Sequence, residues 1–246
     1  YVRRSREKLS LMERKPVKID TGEYRTWFES AAVADFLGMF SWNGISEASL
    51  RQGCSGFGRM RHDDVRLSPK FSVIEDFSPG FCPKFNSNGE VSPEKLSLIE
   101  NGELKNTLVS SRSAKEYGVE SNNAESGEYM RSPKMAAGSL NQSNVIGEIG
   151  KGLYLSNIHY LNWSDCIGGR ITGMTRYACF WVENGEIVAP IENMRFDDTI
   201  YNFFGNNLES VTDKLRLNPS VGTYGGRNLG GVHCPGIILK SFALTL

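Results

Sequence analysis

The sequence predicts an α+β fold that is β-dominated, with antiparallel sheets and hairpins carrying three or four helices. Three observations predict it. Asn-Gly dipeptides recur at Asn88-Gly89, Asn101-Gly102 and Asn184-Gly185, and such pairs suit the type I′ hairpin turn because both central residues take positive φ. A strongly apolar helical pattern sits near the start, and a β-rich apolar run closes the chain.

Val2 to Lys15 is charged and rich in helix formers, with Leu9 and Met12 three apart. It reads as a linker helix within residues 1–20, entering from a missing upstream region, its charges forming a solvated face. Residues 21–246 read as one domain. Tyr24 to Phe28 is β-rich, and Ser30 stands where an N-cap would precede a helix AAVADFLGMF. Ala32, Phe36 and Phe40 recur at helical spacing, with Val33 and Leu37 widening the buried stripe. Ile99 to Leu104 and Val182 to Ile187 repeat nearly the same turn sentence, read as shared turn chemistry rather than a repeat. Val119 to Val145 is dominated by Ser, Asn, Gly, Glu and Met and predicts a long mobile loop, either a flap over a cleft or slack. Gly152 to Tyr160 alternates like a strand, and Asp198 is placed to cap a short helix with Ile200, Phe203, Phe204 and Leu208 on its apolar side. Ile237 to Leu246 predicts a final sheet strand.

Composition narrows the function. In 246 residues, 28 basic and 28 acidic side chains cancel, so a nucleic-acid or membrane-surface partner held by bulk charge is not expected. No apolar stretch approaches the ~18–20 residues of a membrane-spanning helix. The 5 cysteines form no C-x-x-C pair and are too sparse for a disulfide framework, which points to a reducing cytoplasm.

Most catalytic chemistry finds no signature here. Only His62, His159 and His233 exist, and no H-E-x-x-H helix pair occurs. His233-Cys234 is the most ligand-like couplet, but adjacent strand residues face opposite ways, so one metal would not easily take both. His62-Asp63-Asp64 reads as a metal or base cluster or as a polar turn. G-x-S-x-G, a P-loop and a dinucleotide fingerprint are absent. The unusual feature is Val221 to Gly236, with glycines at 222, 225, 226, 230, 231 and 236. Such a run permits positive φ or the close approach of another backbone, as when a peptide lies beside a sheet edge; the alternative is a tight connection before the last strand.

Gly152-Leu153-Tyr154-Leu155, then Phe180 to Ile187 followed by Pro190-Ile191-Glu192, then the Asp-capped segment leading to Gly205-Asn206-Asn207-Leu208-Glu209, together resemble the C-terminal domain of the TldD/PmbA family, also called TldD/TldE peptidases or modulators of DNA gyrase. The match is clearest from Gly152 to Leu217 and looser from Thr21 to Gly118, where the capped helix, the Asn101-Gly102 hairpin and Ser113-Ala114-Lys115 fit the family order. The resemblance implies a cytoplasmic, two-chain metalloprotease acting on small or unfolded peptides in an enclosed chamber. In that family TldD holds zinc on an H-E-x-x-x-H helix with a Cys near the chain end, whereas TldE, or PmbA, holds none. Laid on this sequence, the metal helix falls at Leu37 to Asn43, so Gly38, Met39 and Asn43 stand where ligands would, and Tyr224 stands near the Cys position. These side chains cannot hold zinc or activate a water on it.

The resemblance therefore implies a noncatalytic PmbA/TldE-like subunit that binds no cofactor of its own, with zinc only in a TldD-like partner. Its expected partners are that subunit or a second copy of itself, together with peptide or unfolded polypeptide. Tyr224, Gly225, Gly226 and His233 are the candidate peptide-binding residues. Two other readings stay open: an active metallopeptidase with a rearranged site at His233, Cys234 and His62, or a homodimeric peptide-binding scaffold.

Overall fold

The computed structural model describes residues 2–224 and 226–245. In chain order, α1 (Val2–Met12) leads to β1 (Gly22–Phe28) and α2 (Ser30–Phe40). The short helices α3 (Glu47–Arg51) and α4 (Gly58–His62) precede β2 (Val73–Asp76), β3 (Lys95–Glu100), β4 (Glu103–Leu104), α5 (Ser111–Tyr117), β5 (Pro133–Met135) and α6 (Val145–Ile149). A run of strands follows: β6 (Gly152–Leu155), β7 (His159–Asp165), β8 (Arg170–Met174), β9 (Cys179–Glu183), β10 (Glu186–Pro190) and β11 (Arg195–Thr199). The chain closes with β12 (Leu208–Val211), β13 (Arg216–Pro219), β14 (Gly231–Cys234) and β15 (Ile237–Leu244). Among the described residues these strands form two sheets. A nine-stranded sheet has the order β10-β9-β6-β1-β15-β11-β8-β7, with β12 also paired to β15, and a six-stranded sheet has the order β13-β14-β5-β2-β3-β4. Pairing is antiparallel except between β1 and β6 and between β5 and β14. The predicted β-dominated α+β class is the class observed.

β15 lies at the centre of the larger sheet because both its faces are apolar. Ile237, Leu239 and Phe242 enter the main core, while Ile238 enters a second cluster on the opposite face with Trp27, Tyr154, Phe180 and Val182. β1 and β6 divide the same way: Phe28 and Leu153 face the main core, and Trp27 and Tyr154 the second cluster. This is the period-2 alternation of a strand covered on both sides. The main core is aromatic. Phe36 of α2 meets Phe28, Phe196, Phe203 and Phe204 at centroid separations of 5.6, 6.0, 5.2 and 5.8 Å. Ala32, Val33, Phe36, Leu37 and Phe40 are buried as their spacing predicts. Among the described residues no helix is long and apolar enough to cross a membrane.

Several local expectations are corrected. Ser30 is not the N-cap of α2. Glu29 holds that position, and the Ser30 hydroxyl donates to the Cys234 carbonyl at 2.8 Å. Asn101-Gly102 and Asn184-Gly185 adopt paired positive φ, as the type I′ turn requires, but at Asn88-Gly89 only the glycine does. There the Asn86 carboxamide oxygen takes the backbone N–H groups of Asn88 and Glu90 and sets a different turn. Gly152 to Tyr160 is not one strand, since residues 156–158 separate β6 from β7. Asp198 caps no regular helix. It ends in β11, and the Thr199 hydroxyl accepts the Asn202 N–H before a π-type turn, Asn202–Asn206, while Leu208 passes into β12. Among the described residues six α-helices are present against the three or four expected, because α3, α4 and α6 are only five residues long and leave little periodic signal.

The segment 119–145 departs most from its reading. It supplies β5, buries Ala124, Met130 and Met135 in the main core, and hides Glu128 at 1 % exposure. The Glu128 carboxylate accepts from the Ser46 and Ser110 hydroxyls and from the backbone N–H groups of Ala48 and Ser110. Polar composition here marks side chains that satisfy backbone groups locally, not slack.

Candidate functional site

The end of α2, the turn 82–87, the segment 125–133 and the run 220–232 meet around a groove of about 540 Å³. Its wall is built on Arg131. One guanidinium nitrogen, Nη1, donates to the carbonyls of Pro83 at 3.1 Å and Phe85 at 2.7 Å, and Nη2 donates to the Ser92 hydroxyl at 2.9 Å. The same group lies 4.8 Å from the Phe77 ring centroid and 3.8 Å from the Glu125 carboxylate. Glu125 in turn accepts the Ser87 N–H and hydroxyl. Ser41, just past α2, accepts the Met130 N–H at 3.1 Å, tying the helix end to this wall.

Behind the wall, buried Glu75 accepts the backbone N–H groups of Arg131 and Ser132 at 3.0 and 3.1 Å. Burial pushes its carboxyl up to about 7, against smaller lowering contributions from those N–H groups and the Arg131 charge. Cys82 lines the groove and donates to the Arg131 carbonyl at 3.5 Å. Burial chiefly raises its thiol above the ordinary range, which is the opposite of what a nucleophilic cysteine needs.

The fourth side is the Gly-rich run. The Ser220 N–H bonds to the Gly230 carbonyl and the Asn228 N–H to that of Gly222, closing the neck of a loop that carries Val221, Tyr224 and Leu229 exposed. Gly230 is a position where glycine is required: its φ is +80°, and a Cβ there would stand 2.5 Å from the Arg131 carbonyl oxygen. The run thus does permit a close backbone approach, but to the chain's own wall. Phe85, Tyr129 and Leu229 present apolar surface at the rim, and Ser41, Ser87 and Asn228 supply polar groups. Chemically this is a cleft that can seat an extended chain with an apolar side chain.

Both segments that the sequence singled out, 119–145 and 222–236, line this groove, and so does Gly38. The named candidates are less clustered. Met39 is buried in the core and faces away from solvent. Asn43 lies past the end of α2 with φ 55°, its carbonyl accepting the Gly56 N–H, so Gly38 and Asn43 do not share a helical face. Tyr224 and Gly226 stand exposed on the loop and do not line the groove. Gly225 lies outside the described residues. His233 packs edge-on against Phe81 at 6.5 Å, with its Nδ1 buried and without a hydrogen-bond partner. Burial, then the Lys134 charge, lowers its pKa, which favours the neutral ring.

Cys234 points the other way from His233, to the Ser30 hydroxyl at 3.5 Å, and burial pushes its thiol up to about 12. His62 ends α4 on the surface, where Asp63 and Asp64 form a polar turn. The three residues of the rearranged metal site are therefore not brought together. Among the described residues no group of three or more His, Cys, Asp or Glu side chains is placed to hold a metal ion, and the side chains at Gly38, Met39, Asn43 and Tyr224 do not fit zinc. Sequence reasoning missed Arg131, Phe85 and Tyr129. A lone arginine in a polar segment carries no local signal of what it will clamp.

Among known families, the model of the PmbA/TldA metallopeptidase C-terminal domain matches residues 21–245. The metalloprotease PmbA of Escherichia coli O157:H7 is 29% identical over 132 residues, covering 51% of this chain and 28% of that protein. Among solved structures, a candidate modulator of a DNA gyrase from Thermotoga maritima superposes with TM-score 0.78 at 18% identity, over 98% of this chain and 53% of that one. TldE from Thermococcus kodakarensis gives TM-score 0.75 at 20% identity, over 100% and 55%. A candidate DNA gyrase modulator from Bacteroides thetaiotaomicron gives 0.77 at 16%, over 99% and 51%. The structural likenesses share the fold, and the chain spans about half the length of those proteins.

Proposed function

This chain belongs to the PmbA/TldA metallopeptidase family through the C-terminal domain of that family, and from that premise we propose that it is a noncatalytic, PmbA/TldE-like subunit region of a TldD/TldE-type peptidase. In this role it forms a wall that holds peptide or unfolded polypeptide while a zinc-bearing, TldD-like partner cuts. One observation carries the reading: the groove bounded by the Gly-rich run and the segment 125–133 has Gly38 in its lining, where the family resemblance places a zinc ligand. A pocket with apolar rim, satisfied polar wall and, among the described residues, no cluster of three metal donors suits holding rather than cutting. The cysteine pattern supports a cytoplasmic setting.

The test is metal analysis and peptide cleavage on the purified protein, alone and mixed with a TldD-like subunit. The expected result is no stoichiometric zinc and no cleavage alone, with cleavage and copurification on mixing. One zinc per chain with chelator-sensitive cleavage by this protein alone overturns the reading. Self-association without recruitment of a zinc subunit replaces it with the homodimeric scaffold.

A further inference from the structure

α3, α4, the segment 104–109 and the segment 119–122 border a second, open cavity of about 480 Å³, which shares no lining residue with the first. Its floor is Glu47, with a side chain only 4% exposed. That carboxylate accepts the Thr107 hydroxyl at 2.6 Å, Arg51 Nε at 2.8 Å and Arg61 Nη2 at 2.7 Å. Burial raises the Glu47 pKa, but the three donors and the Arg61 charge outweigh it and hold the carboxyl below the ordinary range, so it is ionised at neutral pH.

A buried carboxylate is neutralised by one cation, and this one has two. The Arg51 guanidinium is further oriented by the Tyr117 ring at 6.0 Å. Each guanidinium carries five N–H donors, and among the described residues neither arginine makes a side-chain hydrogen bond other than the one to Glu47. Both arginines line the cavity with unused donors and are 43% and 35% exposed. Lys105 lines it too, half-exposed; it shares the carboxylate of Glu103 with Arg66, which also pairs with Asp64, so that cluster is balanced and Lys105 brings a mobile ammonium rather than a net charge. The acidic residues in the wall are Glu47, already bonded, and exposed Glu120.

We propose that this cavity is an oxyanion site that takes a phosphoryl group, either free phosphate or the monoester of a small molecule. Glu47 is a positioning residue: it fixes two planar guanidinium forks whose remaining N–H groups match tetrahedral oxygens, and Lys105 adds a third cation. A phosphoryl group carries more charge than a carboxylate and points its oxygens in three directions, so it matches forks converging from different elements better than a planar carboxylate does.

The test is a titration of the intact protein with inorganic phosphate and, in a parallel arm, glycerol 3-phosphate. Melting temperature and calorimetric heat are followed with chloride holding ionic strength constant. The expected result is saturable binding with Kd of about 1 mM or tighter. Arg61→Gln should weaken it about tenfold or more, the loss of a charged hydrogen bond. Lys105→Gln leaves the Glu47 pairs intact, so its expected weakening of about three- to fivefold cannot come from unfolding. Tighter binding of the monoester identifies a phosphorylated small molecule as the ligand, and equal or weaker binding identifies free phosphate. No saturable response, or a response unchanged in both variants, overturns the proposal.

Discussion

Arg131 holds the backbone carbonyl of Phe85, 46 positions earlier in the chain, at 2.7 Å, and by that bond the turn 82–87 and the segment 125–133 become one wall. Its side chain is 11% exposed, so little solvent replaces what it provides. Arg131→Ala leaves two carbonyls and a hydroxyl without their donor. The expected cost is about 2–4 kcal/mol, read as a lowered denaturation midpoint in urea, with Arg131→Lys recovering part of it because one ammonium replaces a fork. An unchanged midpoint would show that the wall stands without this clamp.

Glu75 makes the stability of that wall depend on pH. Its folded pKa, pushed up to about 7, lies above its ordinary value of 4.5, so the folded state binds the proton more tightly than the unfolded one. The stabilisation is full below pH 4.5, declines as pH rises and is gone above about 7. One carboxylate oxygen accepts both backbone N–H groups, a role the Gln carbonyl also fills. Glu75→Gln is expected to flatten the stability profile across that window and to stabilise the protein above pH 7 by on the order of 2–3 kcal/mol. A variant as pH-dependent as the parent would assign the slope to other groups.

The Gly-rich run contains glycines that geometry requires, Gly230 among them, and one, Gly226, with open space around it. Gly230→Ala places a methyl group 2.5 Å from the Arg131 carbonyl oxygen at positive φ and should cost about 1–3 kcal/mol while opening the loop neck to protease. At Gly226 an added methyl group would meet no atom within 4 Å, so Gly226→Ala should leave stability unchanged. Limited proteolysis and thermal melts compare the two directly.

Phe36 is fully buried among four phenylalanine rings. Phe36→Ala is expected to cost about 3–5 kcal/mol from lost burial and the cavity left behind. Phe36→Leu, closer in volume, should cost less. Equal midpoints for Phe36→Ala and the parent would mean that the aromatic cluster collapses without penalty.

Local periodicity by itself determined α2, the strands β1 and β15, and the hairpins at Asn101-Gly102 and Asn184-Gly185, because spacing of 3.6 or 2 and positive-φ turns are written in neighbouring residues. Residue identities alone likewise put Gly38, Met39, Asn43 and Tyr224 at the positions where the family resemblance expects zinc ligands, an expectation that metal analysis of the purified protein tests. The tertiary structure alone decided that residues near 41, 85, 131 and 230 form one groove, and that Glu47 turns two arginines toward another. The residues of the first groove lie tens of residues apart, and their meeting depends on sheet order and on buried hydrogen bonds such as those of Arg131 and Glu128, which leave no periodic trace in the chain.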